Sequence, residues 1–139
     1  LVRPQGRLGG GVAGVKLSAD AKVLFFGGVD PTTDLVVTIA GSPDSLFGNT
    51  TGGAKVTPLA EYPTKGRATG GVRCQRFLKG ETALIAAAIG EFVTAATADG
   101  APVALPDPTP KRDGSGVPLK GVVEMLGARC LPEVVELIP

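Results

Sequence analysis

The chain has 139 residues, 43% of them hydrophobic, which is one domain's worth of sequence with enough apolar material for a core. Its 21 glycines and 12 prolines, beside only 19% charged residues, predict many short elements joined by tight turns, and all-β is the favoured fold class. With no histidine, and Cys74 and Cys130 as the two cysteines, a tetrahedral Cys/His zinc site and Ser-His-Asp or Cys-His catalysis are excluded within the chain.

In chain order, the sequence opens at Leu1 without an initiator Met and reaches its first glycine motif, Gly6-Arg7-Leu8-Gly9-Gly10-Gly11-Val12, at once; it reads as a piece of something longer, incomplete at its N-terminus. Gly14–Leu17 and Lys22–Phe26 are predicted as short strands separated by the polar turn Ser18–Ala21. Asp30-Pro31-Thr32-Thr33-Asp34 is a turn leading into Leu35-Val36-Val37-Thr38-Ile39, whose β-branched continuity predicts a strand buried on both faces. Turns at Gly41–Asp44 and Gly48–Gly53 precede an alternating strand over Ala54–Leu59, and Val72–Phe77 alternates in the same way. Lys79-Gly80-Glu81 is a turn. Ala83–Ile89 has helical propensity, but Gly80 and Gly90 box it in and Phe92–Thr97 follows at hairpin distance, so it is predicted as a strand. Asp99-Gly100 turns the chain toward Val103–Leu105, Pro106–Pro110 is a stiff connector, and Gly121–Leu126 and Val134–Ile138 are the closing strands.

No apolar run approaches the ~18 residues of a membrane span, and no basic segment precedes an apolar one at the start, so the expectation is a soluble cytoplasmic chain with no membrane partner. A disulfide between Cys74 and Cys130 is open to the sequence, but two indifferent thiols in a reducing compartment are the favoured reading.

The organising stretch is Glu61–Val72, in which Lys65, Gly66, Arg67, Gly70 and Gly71 set two cations on a backbone that its glycines free for positive φ and for close approach by another molecule. The same grammar occurs as Gly6–Val12, with Arg7, Gly6, Gly9 and Gly10, and more weakly as Lys111-Arg112-Asp113-Gly114-Ser115-Gly116-Val117. Arg7, Arg67 and Arg112 stand 60 and then 45 residues apart, and the second interval is in the range of four-stranded propeller blades. Repeats at about 13–72 and 73–120 are expected. The net charge is only +1, but Lys55, Lys65, Arg67, Arg73, Arg76 and Lys79 face Glu61 alone in residues 55–79, a local +5 against −4 elsewhere. Such asymmetry suits a polyanion, and these cations with Arg7, Lys111 and Arg112 are the candidate DNA-binding residues; a solvated sheet edge is the plainer alternative.

Val56-Thr57-Pro58-Leu59-Ala60-Glu61-Tyr62-Pro63-Thr64-Lys65-Gly66-Arg67-Ala68-Thr69-Gly70-Gly71-Val72, preceded by Asp34–Thr38, resembles the blade repeat of the C-terminal domain of the type IIA topoisomerase A subunits, those of DNA gyrase and topoisomerase IV. The resemblance covers most of residues 1–125 and implies a β-pinwheel, a propeller-like disc of four-stranded antiparallel blades that exchange strands, here a partial disc. It also implies a basic rim that binds and bends duplex DNA, a breakage-reunion domain elsewhere in the same subunit, and an ATPase subunit as partner. ATP and Mg²⁺ then serve the holoenzyme, and no cofactor or catalytic residue falls to this chain. Tyr62, the sole tyrosine, matches the structural Tyr-Pro of the repeat and not the family's nucleophile. The gyrase-type Gln-Arg-Arg-Gly-Gly-x-Gly box is matched only approximately by Gln5–Gly11, which has one arginine in place of two; the resemblance thus implies a partial wrap, with relaxation and decatenation favoured over supercoiling. A propeller-like protein-interaction module is the competing class, and a single-strand binder is disfavoured because the aromatics are expected in strands and turns.

Overall fold

The computed structural model describes residues 3–43 and 50–129. Among them are seven strands: β1 (Leu35–Ser42), β2 (Thr50–Pro58), β3 (Ala83–Gly90), β4 (Phe92–Ala96), β5 (Pro102–Val103), β6 (Val117–Pro118) and β7 (Met125–Arg129), with a single 3-10 turn at Leu59–Glu61. The fold is all-β, as its composition predicts. No helix among the described residues is long and apolar enough to cross a membrane.

β1 is the spine. Val36, Val37, Thr38 and Ile39 are β-branched and stiff in the extended conformation, and the strand is buried over its six central residues. Its start is set by the predicted turn: the Asp30 carboxylate accepts from the Thr32 N–H at 2.8 Å and the Thr32 hydroxyl at 2.7 Å, while the Asp34 carboxylate accepts from the Asp30 N–H at 2.7 Å. Those Thr32 bonds hold the Asp30 carboxyl below its ordinary pKa. β2 and β3 flank β1 antiparallel, with Val37 opposite Val56 on one side and Ala88 on the other, and β6 extends the sheet to the order β3-β1-β2-β6. Both flanking strands slip by one residue opposite Ile39 and the residues just after it. Paired bulges of this kind coil the sheet.

The second sheet, β5-β4-β7, is also antiparallel. Ile39 and Ala54 of the first sheet meet Ala95 of the second around Val123, and Ile85, Ala86, Val103, Leu105, Leu119 and Leu126 pack against this cluster. The β4–β5 turn lies at the predicted dipeptide but is one residue longer: Gly100 has φ 85° while Asp99 does not have positive φ, and Thr97 N–H donates to the Ala101 carbonyl at 2.9 Å across a three-residue loop. That is the hairpin with a glycine bulge in place of the two-residue type.

Several predicted strands are not formed. Gly14–Leu17 and Val72–Phe77 make only isolated parallel bridges, Val15 to Thr69 and Arg76 to Ser115. Lys22–Phe26 joins no ladder; Lys22 and Leu24, with Asp20 and Ala21, line a cavity of about 580 Å³ together with Ala83, Leu84 and Ile85 of β3. Strand propensity alone does not pair a segment: the outer edge of β3 stays free of a partner strand among the described residues. Phe26 is left 96% exposed, and Leu8 in the first glycine motif is 98% exposed. The strand expected at Gly121–Leu126 begins at Met125, and only Val103 of Val103–Leu105 is in a ladder. Of the turn expected at Gly48–Gly53, residues Thr50–Gly53 instead belong to β2, paired with the end of β1; Gly48-Asn49, with Phe47, Cys130 and the strand expected at Val134–Ile138, lie outside the described residues. The first sheet also takes β3 and β6 from beyond residue 72, so a division at 72/73 runs through it.

Candidate nucleic-acid interface

Parallel bridges bring the glycine motifs together in series. Ala68 N–H donates to the Gly14 carbonyl and Lys16 N–H to the Thr69 carbonyl, each at 3.0 Å. Because the two segments run the same way, the motif of Arg7 and that of Lys65 and Arg67 enter this junction from the same side, and all three cations are exposed. The second junction repeats the device: Arg76 N–H donates to the Gly114 carbonyl at 2.9 Å, joining exposed Arg73 and Arg76 to the loop of Lys111 and Arg112. Arg112 is half-buried, and its Nη1 donates to the Arg73 carbonyl. Lys79 is exposed at the tip of a turn in which Gly80 has φ 92°. Glu81 braces that turn, its carboxylate accepting from Leu78 N–H at 2.7 Å and from Gly53 N–H at 2.6 Å.

Lys55, expected among the DNA contacts, is instead interior, 2% exposed. Alternation along β2 puts Lys55 and Thr57 on the face opposite Ala54. That face is covered by residues 73–76 and 111–114. Lys55 Nζ donates to the Thr57 hydroxyl, to the Cys74 carbonyl at 3.1 Å and to the Arg112 carbonyl at 2.6 Å. Burial pulls its pKa below the usual 10.5. Gln75 completes the same buried polar layer, accepting from the Thr38 hydroxyl at 2.8 Å and donating to the Gly53 carbonyl at 2.9 Å. Sequence reasoning missed Gln75: strict alternation would put it on the side of exposed Arg73, and the segment turns it inward only because no strand forms there.

The glycines divide into two kinds. A Cβ on Gly116 would lie 2.7 Å from the Gly53 backbone, so the third motif owes its glycine to internal packing. A Cβ on Gly6, Gly10, Gly70 or Gly71 would meet nothing within 4 Å, and on Gly66 only Thr69 Cγ2 at 3.9 Å; Gly9 is crowded only by Gln5 and the Gly6 carbonyl. None of these six has positive φ, contrary to the expectation for the motif; the left-handed residue in the second loop is Ala68, at φ 57°. Thr69 Oγ1 closes that loop on the Gly66 carbonyl at 2.6 Å.

Burial pushes the Tyr62 phenol up to about 12, with the Thr57 hydroxyl opposing it only in part. Its oxygen is buried and makes no hydrogen bond of normal geometry. The Cys74 thiol is also raised by burial. Neither group is poised as a nucleophile at neutral pH. Phe26 and Phe92 are more than half exposed, so aromatic surface is less scarce than the strand pattern implied.

The profile of the DNA gyrase C-terminal domain, beta-propeller, matches residues 1–27 and 46–88. The topoisomerase subunit TopoM of Mycolicibacterium smegmatis is 41% identical over 90 residues, which are 65% of this chain and 12% of that protein. No solved structure matches the chain. The motifs in series, the antiparallel four-stranded sheet and this match agree: the chain belongs to the DNA gyrase C-terminal β-propeller family.

Proposed function

We propose that the chain binds and bends duplex DNA for a type IIA topoisomerase, presenting it to a strand-passage core. The observation that carries this reading is the pair of exposed loops at residues 6–12 and 65–71, whose cations are accompanied by glycines that, Gly9 and Gly11 apart, the fold itself needs neither for space nor for φ. A surface kept free of side chains beside Arg7, Lys65 and Arg67 suits a phosphate backbone at close range, with loop N–H groups as further donors. Phosphate contacts read little sequence, so sites are chosen by how easily they bend. Bending a site of ~20 to 30 base pairs by about 40 to 90° costs on the order of 1 to 6 kcal/mol, which the cations must offset.

Lys65→Ala combined with Arg67→Ala in the intact protein weakens binding of every duplex by a similar factor. The slope of log affinity against log salt becomes shallower by roughly 0.9 for each phosphate that is no longer neutralised. A folded double variant with unchanged affinity and slope rejects the reading. Exposed Leu8 and Phe26 favour a second reading, a surface for another protein, in which the same variant leaves duplex binding untouched.

In this proposal the breakage-reunion domain of the same subunit and an ATPase subunit are the partners. ATP and Mg²⁺ act there, and the protein works on cytoplasmic, nucleoid DNA. With a single cation in its first motif, the rim holds DNA through a partial wrap, so the holoenzyme relaxes and decatenates more readily than it supercoils. The measurement is a topological assay with ATP on relaxed plasmid, for which little negative supercoiling is expected; efficient supercoiling overturns the assignment.

A further inference from the structure

We infer that Lys55 is a positioning residue that sets the Arg73, Arg76, Lys111 and Arg112 group, an inference that rests on reading those four as phosphate-facing cations. The segment at 73–76 and the loop at 111–114 each turn a carbonyl, of Cys74 and of Arg112, toward the interior above β2. Two carbonyls facing one space repel, and a donor between them ties their segments on the inner side. The Lys55 ammonium has three donors and no acceptor, and it divides them among Cys74 O, Arg112 O and the Thr57 hydroxyl. Thr57 is two residues along the same strand, so the third bond aims the ammonium.

The other bonds at this junction come from the cationic residues themselves. Arg112 Nη1 donates to the Arg73 carbonyl, Arg76 N–H to the Gly114 carbonyl at 2.9 Å, and Gly114 N–H to the Lys111 carbonyl at 3.2 Å. Each of the four cations thus has its own backbone, or that of an adjacent residue, in the bonded set around Lys55. Removing the ammonium leaves Cys74 O and Arg112 O opposed, so the inner side of the junction is loosened and the spacing of the two pairs of cations rests on the bonds of Arg112 Nη1 and Arg76 N–H alone. Affinity for a phosphate backbone of fixed repeat depends on that spacing.

The test is Lys55→Met, which keeps most of the stem and removes the donors, in the intact protein. The expected result is a folded variant whose duplex affinity falls about tenfold or more at low salt and whose salt slope is shallower by roughly 0.9 for each phosphate the displaced cations fail to reach. A purely structural role lowers the folded fraction and leaves the slope alone. An unchanged slope in Lys55→Met, with Lys65→Ala/Arg67→Ala still weakening binding, overturns the inference and spares the DNA reading. An unaltered protein without salt-dependent duplex binding overturns both. Should Lys55→Met fail to fold, Thr57→Val, which removes the bond that aims the ammonium, decides: a shallower salt slope supports the inference, and an unchanged slope overturns it.

Discussion

Ile39→Ala lowers the unfolding free energy by about 3 to 4 kcal/mol. Ile39 has no exposed surface and is the largest fully buried side chain in the cluster that joins the two sheets, where it meets Ala54, Ala95 and Val123. Its buried partners are two alanines and a valine, and the paired bulges beside it fix the backbone, so the site collapses poorly around a lost side chain. Ile39→Val removes one methylene and costs about 1 kcal/mol. Urea unfolding of both variants measures the difference. A loss below about 1 kcal/mol for the alanine means that the sheets do not pack through Ile39.

Gln75→Ala costs about 3 kcal/mol, most of it from hydrogen bonds that go unmade. Gln75 is 4% exposed and spans β1 and β2, joining the Thr38 hydroxyl to the Gly53 carbonyl. Truncation orphans a buried carbonyl, worth about 1 to 3 kcal/mol, and opens a cavity beside it. Gln75→Leu restores the volume without the hydrogen bonds and recovers only the packing share. A leucine variant as stable as the parent would show that water satisfies Gly53 and that the amide is dispensable.

How far the fold was legible depends on whether a segment carries its own reason for being extended. β1 does, because Val36-Val37-Thr38-Ile39 is stiff in any setting and too apolar for an edge. β3 was legible through its bounding glycines despite its alanines. Lys22–Phe26 has the composition of a strand and is not one, since pairing is a property of two segments and composition describes one. The same limit explains the turn at Asp99-Gly100: the dipeptide marks where the chain reverses, while the count of loop residues follows from the register of β4 on β5.

The candidate site was legible as a set of motifs and not as an arrangement. Alternation in Ala54-Lys55-Val56-Thr57 states that Lys55 and Thr57 share a face; only the docking of residues 73–76 and 111–114 makes that face an interior one. Glycine-rich sequence suggested left-handed backbone at Gly66, Gly70 or Gly71, yet the conformation falls on Ala68, whose N–H is drawn to the Gly14 carbonyl from a segment more than fifty residues away. Such long-range demands leave no local mark.

A covalent join, beyond any side-chain contact, connects the two sheets where β3 passes into β4 through Glu91. Seven residue pairs tie β3 to β1 on one side of that join, and five tie β4 to β7 on the other. Tension along this length of chain loads both ladders in shear, so many hydrogen bonds must yield together and no single pair can peel first. A pull on one sheet in this direction is therefore handed on as tension to the next through the backbone at Glu91.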